Sequence, residues 1–178
     1  MSQIDHAWRG DDLSPQTANI FNATIAAAAI GALFELGFFD ELNDRGTLSA
    51  REFCTKRELQ LSSILSLLYA LQCFKIVALG TDKDTVTPGT AFVATFKDKG
   101  YFLWLVKGYG HMWRNLADLV HSGRGTIDSV GRDGKSIAVA GRDYGAHFVD
   151  SYFTDMLYQQ PFAVAADLGC GSAERLIN

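Results

Sequence analysis

The sequence predicts a mainly α-helical chain in three parts. These are a winged-helix-like domain over residues 14–96, a helical linker over 97–160, and the first strand of an incomplete Rossmann-like α/β domain over 161–178. Three observations carry this reading. Apolar residues recur at helical spacing through most of the chain. A polar turn near Gly80 separates two short β-rich runs. The last residues include Val164-Ala-Ala-Asp-Leu-Gly-Cys-Gly171, small apolar residues leading to an acid and a Gly-x-Gly turn.

Ser14-Pro15 reads as a helix start, with serine as cap and proline in the first turn. Ile20, Phe21, Ile25 and Ala28 follow at helical spacing, and Gly37 ends the helix. The run Ala26 to Ala29 has so little bulk that another helix or a second subunit can approach closely. Phe38, Phe39 and Leu42 pack behind it. Ser49 caps a short helix from Ala50 to Lys56, with Glu52 as its reciprocal partner. Leu59 to Ser62 forms a turn and a second cap, and Ile64, Leu65, Leu67, Leu68 and Leu71 make the next helix. Ile76 to Leu79, the polar turn Gly80 to Asp84, and Thr85 to Thr87 form a hairpin. Helix, turn, helix, hairpin is a winged helix.

Such a domain invites a DNA-binding reading. The helix from Leu61 to Gln72 carries no Lys or Arg, whereas a recognition helix needs cations for phosphates and polar groups for base edges. A scaffold or dimerisation role fits better. The net charge of -4 and pI near 5.5 also offer no general attraction to nucleic acid or an acidic membrane face. The polar stretch Met1 to Asp12 lacks the basic-then-apolar pattern of a secretory signal. The longest apolar run, Ala23 to Phe34, is broken by Glu35 and is short for a membrane span. Cys54, Cys73 and Cys170 are odd in number and lack metal spacing, so a reduced, cytoplasmic setting is expected.

From Ala91 to Tyr158 the chain reads as helical. Tyr101, Phe102, Trp104, Leu105, Tyr109, Met112 and Trp113 form a dense aromatic stretch at helical spacing. Gly108 and Gly110 flank Tyr109, and glycines inside a helix are unfavourable unless they mark a bend or a close approach. A glycine-rich loop from Ser122 to Gly134 contains Arg124, Arg132 and Asp133, and a helix from Lys135 to Phe153 follows.

Val164, Ala165 and Ala166 read as a buried strand with Asp167 at its carboxyl end, where ligands bind in open α/β sheets. Gly169 and Gly171 let the backbone pass close to a ligand, and a helix starting near Ser172 would favour an anion at its N–H groups. Two cofactor classes use this design. A dinucleotide site wants Gly-x-Gly-x-x-Gly, but Glu174 holds its third position and would repel a pyrophosphate. An S-adenosylmethionine site wants Asp-x-Gly-x-Gly-x-Gly/Ala, which Asp167, Gly169, Gly171 and Ala173 match. A parallel sheet needs further strands beyond this one, so the chain is expected to carry only the opening of that domain.

This order of parts resembles dimeric small-molecule methyltransferases of the O-methyltransferase type, and within them the bacterial α-keto acid C-methyltransferases such as those acting on phenylpyruvate. The resemblance rests on Asn19-Ile-Phe-Asn-Ala-Thr24, Ile30-Gly31, Glu35-Leu-Gly37, Trp104-Leu-Val-Lys-Gly-Tyr-Gly110, Arg132-Asp133, Tyr152-Phe153 and Asp167-Leu-Gly-Cys-Gly-Ser-Ala-Glu-Arg175. It implies S-adenosylmethionine as cofactor, a small-molecule substrate, a homodimer interlocked through its N-terminal domains, and no binding to nucleic acid or membrane. Arg132 would anchor a substrate carboxylate, for which a guanidinium fork is suited. Trp104 and Tyr109 would line the pocket, Tyr152 would lie near the cofactor, and Asp167, Gly169 and Gly171 would hold its methionine end. The phenylpyruvate enzyme also uses iron held by histidines of its catalytic domain; those histidines would lie beyond Asn178, so iron is possible there but is not carried over to this chain. The chain by itself is expected to be inactive, and no residue is assigned as catalytic.

The cation-free helix generates a test. No salt-dependent shift of duplex DNA is expected at low micromolar protein in an electrophoretic assay; a shift that weakens steeply with salt would restore the regulator reading.

Overall fold

The computed structural model describes residues 15–122, 131–159, 162–164, 166–171 and 173. The readings at Ser14, Arg124, Pro161, Ala165, Ser172 and Glu174 lie outside these.

Helix α1 spans Pro15–Glu35, and only its later half turns inward, through Ala26, Ala29, Ile30, Leu33 and Phe34. Its small residues admit α4 (Leu61–Cys73) and α6 (Lys99–Leu103) against it. Ile20, Phe21 and Ile25, expected to pack, stay exposed at 71%, 65% and 45%. By length and composition alone α1 is long and apolar enough to cross a membrane, because the helix starts at Pro15, ahead of the apolar run counted from Ala23. Gly37 takes φ 74°, a left-handed turn open to glycine, and α2 (Phe38–Arg45) starts at once.

Two residues of strand β1 (Leu48–Ser49) then lead directly into α3 (Ala50–Lys56). After α4 come β2 (Val77–Leu79) and β3 (Thr85–Pro88). The three strands form an antiparallel sheet in the order β1-β3-β2, with Leu48 opposite Val86 and Leu79 also opposite Val86. Helices and sheet enclose one core. Phe34 meets Phe39 edge-on at 4.9 Å, Phe38 meets Phe53 at 4.8 Å, and Phe39 meets Phe92 at 5.6 Å. Edge-to-face pairs of this kind add to the burial of the rings themselves.

The hairpin is tied to α3 by one residue. Asp84 accepts hydrogen bonds from Ser49 Oγ at 2.7 Å and from the Arg51 N–H at 2.8 Å, while its carbonyl accepts from the Ala50 N–H at 2.9 Å. Ser49 Oγ in turn accepts from the Glu52 N–H at 3.1 Å. The expected serine cap is present, but the carboxylate at this helix end comes from Asp84 across the sheet. Asp82 holds the turn itself, accepting from Thr85 Oγ1 at 2.6 Å, the Asp84 N–H at 3.0 Å and the Thr85 N–H at 2.9 Å. These donors, the Thr85 hydroxyl foremost, lower its pKa to about 2.

Helix α5 (Phe92–Lys97), α6, a π-helical segment (Trp104–Gly108), α7 (Gly110–Arg114) and α8 (Leu116–Ser122) follow in short pieces. Lys99 pairs with Asp40 at 2.8 Å and Lys107 pairs with Glu35, fixing this run to α1 and α2. The expected helix from Lys135 to Phe153 is instead two, α9 (Gly134–Phe148) and α10 (Asp150–Gln159). The Val149 N–H still donates to Gly145 and the Phe153 N–H to Val149, so the junction bends without breaking the run of bonds.

Helix α9 lies against α6 and the π-helical segment. A β-carbon at Gly100 would stand 2.6 Å from the Ala140 carbonyl oxygen, and one at Gly108 would stand 2.7 Å from Ile137 Cγ1. The glycine beside Tyr109 thus marks a close approach, as its helix position suggested.

The buried strand expected at Val164 to Ala166 is absent among the described residues. Val164 is 85% exposed, and the described positions there carry no strand. A parallel strand takes its hydrogen bonds from neighbours, and the described strands all belong to the sheet of β1, β2 and β3.

Two outcomes follow from this packing. Gly100→Ala meets rigid backbone and should destabilise the chain by about 1–3 kcal/mol in chemical denaturation, whereas Gly141→Ala, open on all sides, should not. Asp82 has a lowered folded pKa, so its contribution is complete above its unfolded value near 3.8 and is lost as pH falls through about 2. The stability gap between wild type and Asp82→Asn should therefore be widest above about pH 4 and close towards pH 2.

Candidate functional site

The π-helical segment widens one turn so that the Tyr109 N–H donates to the Trp104 carbonyl at 2.9 Å. Such turns recur at functional sites. Here it brings Trp104 and Tyr109 together, ring centroids 5.1 Å apart and nearly perpendicular. The Gly108 carbonyl accepts from the Asp133 N–H at 3.1 Å, which sets the start of α9. Asp133 caps that helix, accepting from Ser136 Oγ at 2.6 Å and from the Ser136 N–H at 3.1 Å. Those bonds, the hydroxyl first, lower its pKa.

Placed this way, α9 and α10 form one wall of a cleft of about 810 Å³. Gly141, Arg142, Ala146, Phe153 and Leu157 lie on that wall; Phe162, Asp167, Gly169, Cys170 and Gly171 complete the lining. Asp167 is half-buried. Left-handed backbone recurs at alternate residues, with φ 84° at Gly169, 57° at Gly171 and 59° at Ala173. The Ala173 N–H donates to the Cys170 carbonyl at 2.8 Å, closing the turn. An alanine in this region costs about 1–2 kcal/mol, so the third position of the motif is held against its own preference.

The structure thus brings three of the sequence-derived residues, Asp167, Gly169 and Gly171, to one cleft. The other four lie elsewhere. Trp104 and Tyr109 face each other on the π-helical segment, Arg132 is exposed just before α9, and Tyr152 is 76% exposed. None of these four lines the cleft. Sequence reasoning missed the helical wall. Its signal was the four-residue spacing of Ala138, Arg142, Ala146, Asp150 and Thr154, one side of a helix. Among the described residues no group of three or more His, Cys, Asp or Glu side chains is placed to hold a metal.

No protein-family model matches the chain. In sequence it is similar to methyltransferase ungE' of Aspergillus campestris, 31% identical over 173 residues, which are 96% of this chain and 50% of that protein. The chain therefore spans about half the length of the curated relative it matches. Among solved structures, PigF with SAH matches at a TM-score of 0.59 and 16% identity, over 85% of this chain and 49% of that one. The S-adenosylmethionine-dependent methyltransferase SibL in its apo form matches at 0.54 and 18% identity, over 92% of this chain and 53% of that one. In fold, then, the chain resembles about half of each of these two solved proteins, and in sequence it is similar to half of the Aspergillus methyltransferase.

Proposed function

We propose that the chain is the portion of an S-adenosylmethionine-dependent methyltransferase that pairs two subunits and opens the cofactor site. The observation that carries this reading is the meeting of Asp167, Gly169 and Gly171 at one cleft. A carboxylate there suits the ammonium of the cofactor's methionine end, and two glycines leave the backbone bare beside it. The sequence likeness to a methyltransferase over nearly the whole chain supports the same reading.

In it, residues 14–96 are a winged helix used for dimerisation, 97–160 a linker with pocket helices, and 161–178 the start of the cofactor domain. The order helix, strand, helix, helix and hairpin with a three-stranded sheet fits a winged helix. Exposed Ile20, Phe21 and Ile25 on α1 fit a homodimer in which a second copy covers them. The substrate is a small metabolite, by resemblance an α-keto acid methylated on carbon; the same resemblance puts Trp104, Tyr109 and Arg132 on its side and Tyr152 near the cofactor, although none of the four lines the cleft. The enzyme works in the cytoplasm without nucleic acid or membrane. Methyl transfer gains most of its rate from holding donor and acceptor in contact away from water, and the chain alone turns nothing over.

Calorimetry with S-adenosylhomocysteine on the complete protein tests this. Asp167→Asn should weaken binding about ten- to a hundredfold, the range for a hydrogen bond to a charged group, with an unchanged melting midpoint. Equal affinity in wild type and variant would sink the reading.

A further inference from the structure

We propose that Val106 is a positioning residue for the cofactor cleft. On the π-helical segment it bears on α1 at Gly31, and through Gly108 the same segment sets Ile137 of the cleft wall. The packing of α1 thereby governs how tightly the cleft takes its cofactor. This rests on the methyltransferase reading above and adds to it a residue and a route that lie outside the cleft.

The segment is held on two sides. Val106 and Gly108 are two residues apart, a spacing that puts them on different sides of a helix. On the side of Val106, a β-carbon at Gly31 of α1 would stand 3.0 Å from Val106 Cβ and 3.1 Å from both its methyl carbons. Gly31 is buried, so α1 meets the valine with bare backbone. Lys107 adds its ion pair with Glu35, one turn further along α1. On the side of Gly108, a β-carbon would stand 2.7 Å from Ile137 Cγ1, and the Gly108 carbonyl accepts from the Asp133 N–H at 3.1 Å.

Ile137 carries the contact to the site. It stands against Gly108, and it lines the cleft together with Ala138 and Gly141. A shift of the segment therefore reaches the lining through one side chain. Close-packed neighbours leave no gap in which such a shift could be absorbed. Helix α6 also joins α1 to α9. Its bare Gly100, however, faces Ala140 and Tyr144 of α9, and neither of these lines the cleft. The route to the site thus runs through the π-helical segment, with Val106 as its bearing on α1.

The test is calorimetry of S-adenosylhomocysteine with the complete protein. Gly31→Ala presses on three carbons of Val106 and should weaken binding about tenfold, within the coupling range of packed neighbours. Val106→Ala removes both methyl carbons, and in that background Gly31→Ala should cost no more than about threefold. Val86→Ala, in the buried heart of the sheet, should lower the melting midpoint and leave the affinity unchanged. Coupling is reciprocal, so the cofactor must also act on the segment. With Trp8→Phe and Trp113→Phe in place, Trp104 is the one remaining tryptophan, and saturating S-adenosylhomocysteine should shift its emission. This last measurement leaves Gly31 and Val106 intact and decides the matter if Gly31→Ala does not fold. Wild-type affinity in Gly31→Ala overturns the proposal, as does an equal loss with and without Val106→Ala, which would assign the route to α6. An affinity loss in Val86→Ala as large as that in Gly31→Ala also overturns it, as does an unmoved Trp104 emission. If S-adenosylhomocysteine does not bind wild type, the methyltransferase reading falls and this role with it; if it binds, any failure above belongs to Val106 alone.

Discussion

The position of α9 depends on a side chain that is missing. At Gly100 the backbone of α9 comes so near that a β-carbon would lie 2.6 Å from a carbonyl oxygen. Backbone cannot yield as a side-chain tip can, so this spacing fixes how closely the helix sits. Gly108 repeats the contact one helical layer later against Ile137. The cleft is cut into the outward side of the same helix. Its shape therefore inherits the tolerance of the inner seam, and a methyl group on the buried side would be felt across α9 at Gly141 and Arg142.

That seam is itself anchored to the N-terminal unit by unlike means. The phenylalanine cluster joins α1, α2, α3 and α5 without direction, through burial and edge-on ring contacts. Lys99 and Lys107, paired with Asp40 and Glu35, add direction at the surface, where each pair contributes little alone. Glu41 shows the same division. Burial pushes its carboxyl up, but hydrogen bonds from Arg45 and Arg57 more than offset this and hold it low. Arg57 also stacks on Phe53 at 3.9 Å, so one cation serves both the ion pair and the aromatic core.

What the sequence disclosed followed from local chemistry. Ser49, Gly37 and the polar turn before Thr85 announce their conformations within a few residues, and α3, the end of α1 and the hairpin appeared where expected. Strand β1 was illegible because two residues carry no period; Leu48 is a strand residue through its pairing with Val86. The π-helical turn was hidden for a similar reason, although its glycines were visible. Val164 misled because small apolar runs look like strands whether or not a neighbour exists to bond them. At the site, the glycine motif could be read because it needs particular residues at fixed steps. Arg142 and Gly141 could not, because a helix face of mixed polarity has meaning only once the opposite wall is in place.

Cys54, on α3, is buried in the core, while Cys73 and Cys170 are exposed. Burial first, and the nearby Asp84 second, push the Cys54 thiol above its usual range, which leaves little thiolate to react. The chain thus carries a built-in reporter of its own integrity. Alkylating reagents would mark two thiols in the folded state, and the third would become available only as the phenylalanine core opens, so the kinetics of the last modification would read local opening directly.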